Sequence, residues 1–600
     1  MATSKEMSNE DLVISYSIKI NGSAIPDEIS IVSVYVEKKV NRIATAKIVI
    51  LDGEASTGNF DISSSSVFLP GAVVRIEAGY DGFNNIIFEG IIMSQSLSID
   101  ELSGSILEVE CRDPAIKMIV GRKSLTYANK KDSEIISSII AQYSGLTSNV
   151  AATTTVWPEQ VQYYVTDWDY ILALAEANGL IVTTINGKIS VNAPNSDTTS
   201  VLTVTYGDNL LHFNAKLNAE TQLGNVTSNS WDYKNQVVIK GQAAPNEQGA
   251  GNLSSQKLSE VVGLSAFQLQ TSASLDTKDL NNWSKAQMLK SEYSKITGEA
   301  KFQGSSLAEP GKQITFQGLG TRFNGDYLIS GVVHDFSQGN WVSEVSFGLS
   351  PLWFTEEPDV MAPAASGLIP GARGLFNGTV KKMSGDPDSQ YRILVDVPLF
   401  DSNGAGIWAR LSNFYATNDA GAFFLPEVGD EVILGFLNED PRYPVILGSL
   451  YSNTKIKPFK DLAPDDKNSK KAIVSKSGIS IEFDDENKIW TVATPNKNTI
   501  IISDKDKKIT INDENKNSIV MSGNGIDMTS QKNINISAQQ NVTIKGMQGV
   551  AIESNNGDVT TKGINIKENA DNQYNAQGGQ TAQVSGGMQL TLKGAMVMIN

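Results

Sequence analysis

Residues 525–552 read GIDMTSQKNINISAQQNVTIKGMQGVAI, and this stretch decides the fold of the C-terminal part of the chain. It contains apolar-x-apolar pairs, and four successive pairs begin eight residues apart, at positions 526, 534, 542 and 550. Asn, Ser, Gly, Lys and Gln fill the intervals between the pairs. Alternation with a period of two indicates very short β-strands, and the polar intervals indicate tight turns between them.

The pairs extend from Ile509/Ile511 to Val597/Ile599, and their spacing predicts an assembly of several chains. Eight extended residues span ~26 Å, whereas a closed three-faced β-prism needs a perimeter on the order of 50–60 Å. One repeat therefore cannot enclose its own core, but three chains that each supply one face can. A single-chain β-solenoid with longer coils is the alternative. The predicted trimer core consists of Ile526, Met528, Ile534, Ile536, Val542, Ile544, Val550 and Ile552.

The composition indicates a globular protein that does not bind polyanions. Hydrophobic residues make up 40% and charged residues 19% of the 600 residues, and the net charge is −17. This charge disfavours nucleic acid and anionic lipid as partners. The single cysteine, Cys111, fits a reducing compartment. Because no secretion signal and no run of 18 apolar residues is visible, we expect a cytoplasmic protein without a transmembrane segment.

The region before the repeats predicts a mainly β arrangement with a few helices. Short alternating strands fill residues 10–120, and amphipathic helices are predicted at 132–141, 166–179 and 276–297. A Gly/Asn/Ser/Gln-rich stretch at about 235–260 is predicted to be an exposed loop. The Pro/Ala/Gly-rich segment PDVMAPAASGLIPGARG, residues 358–374, is typical of a linker.

A compact module follows the linker, with the sequence IWARLSNFYATNDAGAFFLPEVGDEVILGFLNEDPRYPVILGSLY at residues 407–451. Pro426 and Gly429 indicate a turn, and Val432, Leu434 and Phe436 alternate as in a small barrel core. The length of the module fits a five-stranded OB-type barrel.

This module resembles the VgrG family of type VI secretion spike proteins. The matching positions are Trp408-Ala409-Arg410, Phe424, Pro426, Gly429, Glu431, Val432, Phe436, Asp440-Pro441, Pro444 and Gly448. A second stretch, QYYVTDWDYILALAEANGL at 162–180, is similar to the acidic-aromatic helix of the same family. The order of the modules is also similar to the fused hub-and-spike proteins of phage tails.

The resemblance implies a complete organisation of the chain. Residues 1–360 are expected to form a tandem β-barrel hub, 361–373 a linker, 374–453 the OB-fold barrel, 454–470 a connector and 471–600 an intertwined triple-stranded β-helix. The homotrimer is expected to sit on an Hcp-like hexameric tube, to contact baseplate proteins, to puncture target envelopes and to leave the cell when the machine fires. The spike or hub of a phage tail or of an extracellular contractile injector is the close alternative.

The apolar C-terminal residues predict a contact at the tip. Met596, Val597, Met598 and Ile599 are expected to bind a separate capping protein, because a solenoid needs a cap at each end. The resemblance implies a PAAR-like cap. No toxin domain follows Asn600, so effectors are expected to be carried by contact with the tip or with its cap.

Few residues in the sequence favour catalysis. His212 and His334 are the only histidines, and they lie in separate strand-like contexts. Glu427, Asp430 and Glu431 are interpreted as a solvated turn rather than a paired-carboxylate site. We therefore expect no enzyme activity, no metal and no cofactor. A polysaccharide-degrading tailspike enzyme is the alternative from another class.

Overall fold

The computed structural model describes residues 13–101, 104–194, 196–246, 249–400, 405–452, 455–459 and 465–599. It contains two compact units, which divide between residues 450 and 451. The fold is mainly β, with a closed five-stranded barrel, and this confirms the predicted fold class at that level.

The first unit begins with a lobe of seven strands whose side chains alternate between core and solvent. Val34, Val36, Ile48 and Ile50 are fully buried at alternate positions of two paired strands. Trp341, from a distant part of the sequence, packs in the same core. The strands are β1 (Ile14–Ile20), β2 (Ser23–Ala24), β3 (Ile31–Lys39), β4 (Thr45–Leu51), β5 (Val73–Tyr80), β6 (Phe83–Asp100) and β7 (Gly104–Arg112).

A mixed segment with two helices follows. Helix α2 begins at Asp167 because the Thr166 hydroxyl accepts a hydrogen bond from the Asp169 N–H (3.0 Å), and it ends two residues before Gly179, whose φ is +68°. The elements are a 3-10 helix at Pro114–Met118, β8 (Lys123–Lys131), α1 (Asp132–Ile140), β9 (Thr147–Val150), β10 (Val156–Val165), α2 (Asp167–Ala177), β11 (Ile181–Ile185) and β12 (Lys188–Asn192).

The second lobe repeats the combination of strands and helices. Its elements are β13 (Ser200–Thr205), β14 (Leu210–Leu217), β15 (Val226–Asp232), β16 (Val237–Ala243), α3 (Ser255–Val262), β17 (Phe267–Thr271), α4 (Thr277–Tyr293), β18 (Ile296–Gln303), β19 (Gln313–Gln317), α5 (Gly320–Phe323), β20 (Gly325–Ser337) and β21 (Asn340–Phe347). The loop predicted at 235–260 is wrong in part, because β16 lies within it and α3 begins within it. Ser254 caps α3 by accepting the Lys257 N–H at 3.1 Å.

A sheet of 13 strands connects the two lobes. Its main path runs β14-β18-β21-β20-β3-β4-β7-β6-β5-β1-β2, and β13 and β19 branch from it. The antiparallel pairing of β3 with β20 is the junction between the lobes. Two separate buried clusters lie on either side of this junction, so each lobe encloses its own core.

Residues 350–374, which we call the strap, follow the second lobe and include the predicted linker. Arg122 donates hydrogen bonds to the carbonyl oxygens of Asp359 and Met361, each at 3.0 Å. Trp353 Nε1 donates to the Gln287 side chain at 2.6 Å. The strap therefore has specific partners in the first unit despite its Pro/Ala/Gly-rich composition.

The barrel closes in the order β22-β23-β24-β28-β27, and its small core is formed by inward-facing aliphatic residues. Val432 and Leu434 are fully buried, whereas Phe436 packs at the edge against Phe376 and Phe400. The strands are β22 (Phe376–Lys382), β23 (Ile393–Asp396), β24 (Ile407–Leu411), β25 (Ala416–Thr417), β26 (Ala420–Gly421), β27 (Glu431–Phe436) and β28 (Pro444–Ser449). The short β25 and β26 pair outside the barrel.

The second unit contains a seven-stranded antiparallel meander in which every strand pairs with the next. The strands are β29 (Lys470–Val474), β30 (Ser480–Asp484), β31 (Ile489–Ala493), β32 (Thr499–Ser503), β33 (Lys508–Asn512), β34 (Ser518–Ser522) and β35 (Gly525–Thr529). The first three predicted pairs, from Ile509 to Met528, lie in this meander. Their strands pair within the chain because hairpin turns return the backbone after each strand.

Asparagine side chains connect successive turns along one edge of the meander. The turn at Thr494 closes through its N–H, which donates to the Asn498 carbonyl oxygen at 3.0 Å. Asn498 Oδ1 accepts the N–H of Glu514, in the next turn on that edge, at 3.0 Å. Asn517 Oδ1 accepts the Gln531 N–H at 3.0 Å. The last of these bonds connects the meander to the first residue of the eight-residue repeats.

From residue 531 to residue 595 the chain is extended and bends about every eight residues. The bends lie at residues 531–532, 539–540, 547–548, 555–557, 564, 571–572, 579–580, 587–588 and 595. The position before each bend is small in most repeats, as at Gly546 and Gly578. A Cβ atom on these two glycines would lie 2.2 and 2.0 Å from the carbonyl oxygen three residues ahead. Small residues therefore occupy the positions at which the backbone bends most closely.

Candidate assembly surface

One face of the meander consists almost entirely of apolar side chains, and we call it the apolar face. Directly opposed residues of an antiparallel sheet lie on the same side, so the register defines its two columns. One column runs through Ile473, Ile481, Val492, Ile500, Ile511, Ile519 and Met528. The other runs through Lys471, Phe483, Trp490, Ile502, Ile509, Met521 and Ile526.

The opposite face of the same strands is mainly polar. Glu482, Thr491 and Thr510 lie in its middle columns, and Ile501 is one of its few aliphatic residues. A sheet that is apolar on one side only must bury that side against another element. The chemistry of the two faces therefore identifies which side needs a partner.

The apolar face remains largely open to solvent within one chain. Ile526 and Met528 are 67% and 56% exposed, Ile473 is 54% exposed, and Ile500 is 40% exposed. Full burial of one such side chain contributes ~1.5–3 kcal/mol. Eight of the thirteen are 39–67% exposed, so covering their exposed half contributes ~6–12 kcal/mol. Apolar surface of this extent marks an interaction site.

The predicted core residues of the eight-residue repeats are also exposed in the single chain. Ile534, Val542 and Val550 are 51–53% exposed, and Ile536, Ile544 and Ile552 are 68–71% exposed. Within the described residues, no backbone–backbone hydrogen bond joins 533–599 to any other part of the chain. Regular extended backbone requires such partners. Within one chain these side chains therefore lie one after another along the backbone and remain exposed.

The predicted tip residues lie in the last described repeat. Met596, Val597, Met598 and Ile599 are between 51% and 85% exposed. Their contact with a capping protein stays a prediction.

The sequence analysis missed the first half of the apolar face, between residues 473 and 502. The signal was present, because Ile481/Phe483, Trp490/Val492 and Ile500/Ile502 are pairs of the same apolar-x-apolar kind. Their polar intervals are longer than those of the later repeats and alternate in length, so a search for an eight-residue spacing passes over them.

The two histidines and the single cysteine lie at separate positions in the first unit. His334 Nδ1 lies 2.9 Å from Ser343 Oγ, and burial, with a smaller contribution from Lys38, lowers the pKa of His334 to about 3. Burial raises the pKa of the Cys111 thiol to about 12. His212 lies on the surface, with Nε2 3.8 Å from Glu299. These groups are far apart in the strand order and do not form one site.

Two acidic residues near position 430 accept hydrogen bonds from neighbouring parts of the barrel. The Glu427 N–H donates to Asp430 Oδ2 at 2.8 Å, and Asn377 Nδ2 donates to Glu431 at 2.6 Å. Among the described residues, no group of three His, Cys, Asp or Glu side chains is arranged to hold a metal ion. No helix in the described ranges has the length and apolar character needed to cross a membrane.

Two sequence families match the chain. Residues 10–338 match the Alg8 N-terminal domain, and residues 376–451 match the type VI secretion system/phage-baseplate injector OB domain. The spike protein VgrG1c of the type VI secretion system of Pseudomonas aeruginosa is 27% identical over 174 residues. That alignment covers 27% of this chain and 24% of VgrG1c, so the chain matches about a quarter of its relative.

Solved structures of tail and secretion proteins match parts of the chain at low sequence identity. The 43 kDa tail protein of prophage MuSo2 from Shewanella oneidensis matches 56% of this chain and 98% of its own, with 12% identity and a TM-score of 0.43. A type VI secretion system component from E. coli, with structural similarity to phage T4 tail proteins, matches 72% of this chain and 99% of its own, with 13% identity and a TM-score of 0.35.

The five-stranded barrel, its match to the injector OB domain and the alignment with VgrG1c make the chain similar to VgrG spike proteins. Through the match over residues 10–338, which is more than half of its length, the chain belongs to the Alg8 N-terminal domain family.

Proposed function

We propose that three copies of this chain form the spike of a type VI secretion machine. The apolar face of the meander carries the proposal, because it presents thirteen apolar side chains that one chain leaves partly exposed. Three such faces turned towards a common axis exclude water from all of them. The unpaired repeats beyond residue 530 then complete one another between chains.

The proposed stalk resists axial load through its interchain bonds. Every extended segment in 531–599 offers N–H and C=O groups, and partner chains satisfy these groups level by level. Compression then acts on many hydrogen bonds together, and bending requires several to break at once. Such a rod is suited to puncturing an envelope.

Further partners follow from the family. We propose that the hub sits on an Hcp-like hexameric tube and contacts baseplate proteins, and that a PAAR-like cap and effectors bind at the tip. Four relatives that match the chain are named spike proteins, which supports a structural role, and a fifth is named an actin cross-linking toxin. The protein is proposed to remain in the cytoplasm until firing exports it.

The molecular mass in solution tests the trimer. We expect about 194 kDa for the full chain, three times 64.7 kDa, by light scattering coupled to size exclusion. A chain that ends at residue 464 lacks the apolar face and should associate weakly. A stable full-length monomer refutes the proposal.

Two adjacent isoleucines provide a matched pair of variants. Ile502 lies on the apolar face, and Ile501 lies on the opposite face of the same strand. Ile502→Asp should place three carboxylates at the buried axis and abolish the trimer, because unpaired buried charges are strongly destabilising. Ile501→Asp should keep the trimeric mass. Equal loss in both variants argues against the assigned facing.

A phage-tail or extracellular-injector spike is the second candidate, and the description of the matching OB domain names phage-baseplate injectors as well. Genes for a tube, a sheath and a baseplate ATPase beside this one would identify the machine. Release of sugars from polysaccharide by purified trimer would instead favour the tailspike enzyme.

A further inference from the structure

The connection between barrel strands β24 and β27 carries a cluster of exposed aromatic side chains. We call residues 412–426 the aromatic hairpin. Phe414 is 89% exposed, Phe423 73%, Phe424 60% and Tyr415 55%. Aromatic rings are costly to leave in water and are enriched at protein interfaces. Four exposed aromatic side chains in one short connection between strands indicate a contact surface.

The aromatic hairpin has an ordered backbone of its own. Strands β25 and β26 pair at its end, and the Ala422 N–H donates to the Tyr415 carbonyl oxygen at 2.9 Å. Gly421 has φ +136°, and a Cβ atom there would lie 2.8 Å from that same oxygen. Asp419, with φ +56°, occupies the turn. Because the loop is already shaped, binding costs little further ordering entropy.

The charge pattern argues against a membrane as the partner. Asp419 is the only charged residue in 412–426, and the whole chain has a net charge of −17. Surfaces that bind anionic lipid normally supply lysine or arginine beside the aromatic rings. The hairpin instead has the composition of a protein–protein contact.

A second copy of this chain fits the hairpin best. Aromatic side chains bury 150–250 Å² each, so four that are more than half exposed offer ~500 Å². An equal area on an acceptor brings the contact to ~1,000 Å², which is enough for a specific interface. The barrel itself offers exposed aliphatic side chains for this purpose at Leu375, Leu437 and Leu447.

We infer that the aromatic hairpin of one copy packs against the barrel of the next copy, so that the three barrels form a ring, which we call the collar. The inference rests on the proposed trimer. Only residues 451–469 separate the barrel from the first stalk strand, and a connection of that length extends at most ~65 Å. Once three stalks have joined, the barrels are therefore held at high effective concentration, and a modest contact suffices.

Photo-crosslinking on the full chain tests the collar. Benzoylphenylalanine replaces Phe414 in one variant and Tyr391 in the control, because Tyr391 is 86% exposed on a different barrel loop. Illumination should give covalent dimers from position 414, with the linked peptide inside residues 374–451 of another copy. Position 391 should give no such dimer.

The mass of each sample in solution is measured before illumination, so that failure of the proposed trimer can be distinguished from failure of the collar. A trimer in which position 414 links only within its own chain, to another protein, or no more than position 391 overturns the collar and leaves the spike intact. A monomeric mass overturns the spike and the collar together.

Discussion

At the scale of single residues, a buried histidine links the stability of the first unit to pH. His334 lies in β20 at the junction of the two lobes, and burial lowers its pKa from 6.5 to about 3. The folded state therefore holds this ring neutral, whereas the unfolded chain protonates it below about pH 6.5. Its contribution is fully present above pH 6.5 and is lost as the pH falls towards 3.

The histidine predicts a measurable acid sensitivity. Between pH 7.5 and pH 5 the junction should lose about 2 kcal/mol of stability, because one proton more is bound by the unfolded state over most of that range. Hydrogen-exchange protection of peptides from β20 and β21 measures this loss. His334→Asn retains a polar partner for Ser343 but cannot titrate, so its protection should change less with pH. An equal pH dependence in both proteins excludes His334 as the cause.

At the scale of elements, the strap shows how a flexible-looking sequence acquires a fixed course. Its composition predicts a linker, yet Arg122 binds two of its carbonyl oxygens and also that of Tyr164 at 3.2 Å. One planar guanidinium can bridge several carbonyl groups, which a single ammonium cannot do with the same geometry. The strap is thus held at a fixed position by hydrogen bonds from a residue far away in the sequence.

Removing the guanidinium should release the strap. Arg122→Ala is expected to increase the rate of thermolysin cleavage within residues 358–374 several-fold, and Arg122→Lys should restore protection only in part. Arg42→Ala is the matched control, because Arg42 is exposed and its Glu357 partner lies at 3.7 Å, so the pair contributes little. Cleavage that is equally fast in the Arg42 variant would contradict the role of Arg122.

The sequence pattern predicted the eight-residue period, which the bends of the backbone confirm, but it did not predict the meander, and the reason lies in the turns of the meander. Hairpin turns usually reveal themselves by Gly or Asn at positions with positive φ. Here Lys488, Lys497, Lys507 and Lys516 hold those positions, with φ between +52° and +66°. Helix α3 was missed similarly, since only the Ser254 cap marks its start within a Gly/Asn-rich stretch. The trimer core stays a prediction, because the contacts that would define it lie between chains and no pattern within one chain shows them directly.

At the scale of the whole molecule, the assembly surface is distributed along the chain rather than confined to one pocket. Partly exposed apolar side chains continue from Ile473 to Ile599. A single substitution at one level therefore leaves many other levels in contact, unless it buries a charge. The proposed trimer should therefore unfold in one transition on heating, and it should not dissociate into monomers when the protein is diluted.

The bends every eight residues have a consequence for the evolution of such a spike. Residues 539–546 form one complete repeat, so their deletion shortens the rod and leaves every later side chain on its own side. Deletion of 539–545 shifts the alternation by one residue and turns later apolar groups outwards. We expect the first variant to melt as a trimer near the temperature of the parent and the second to lose the distal stalk. If the proposed trimeric rod forms, its length is thus inherited in steps of eight codons, and a gene that gains or loses such steps changes the length of the rod and keeps the contacts at every remaining level.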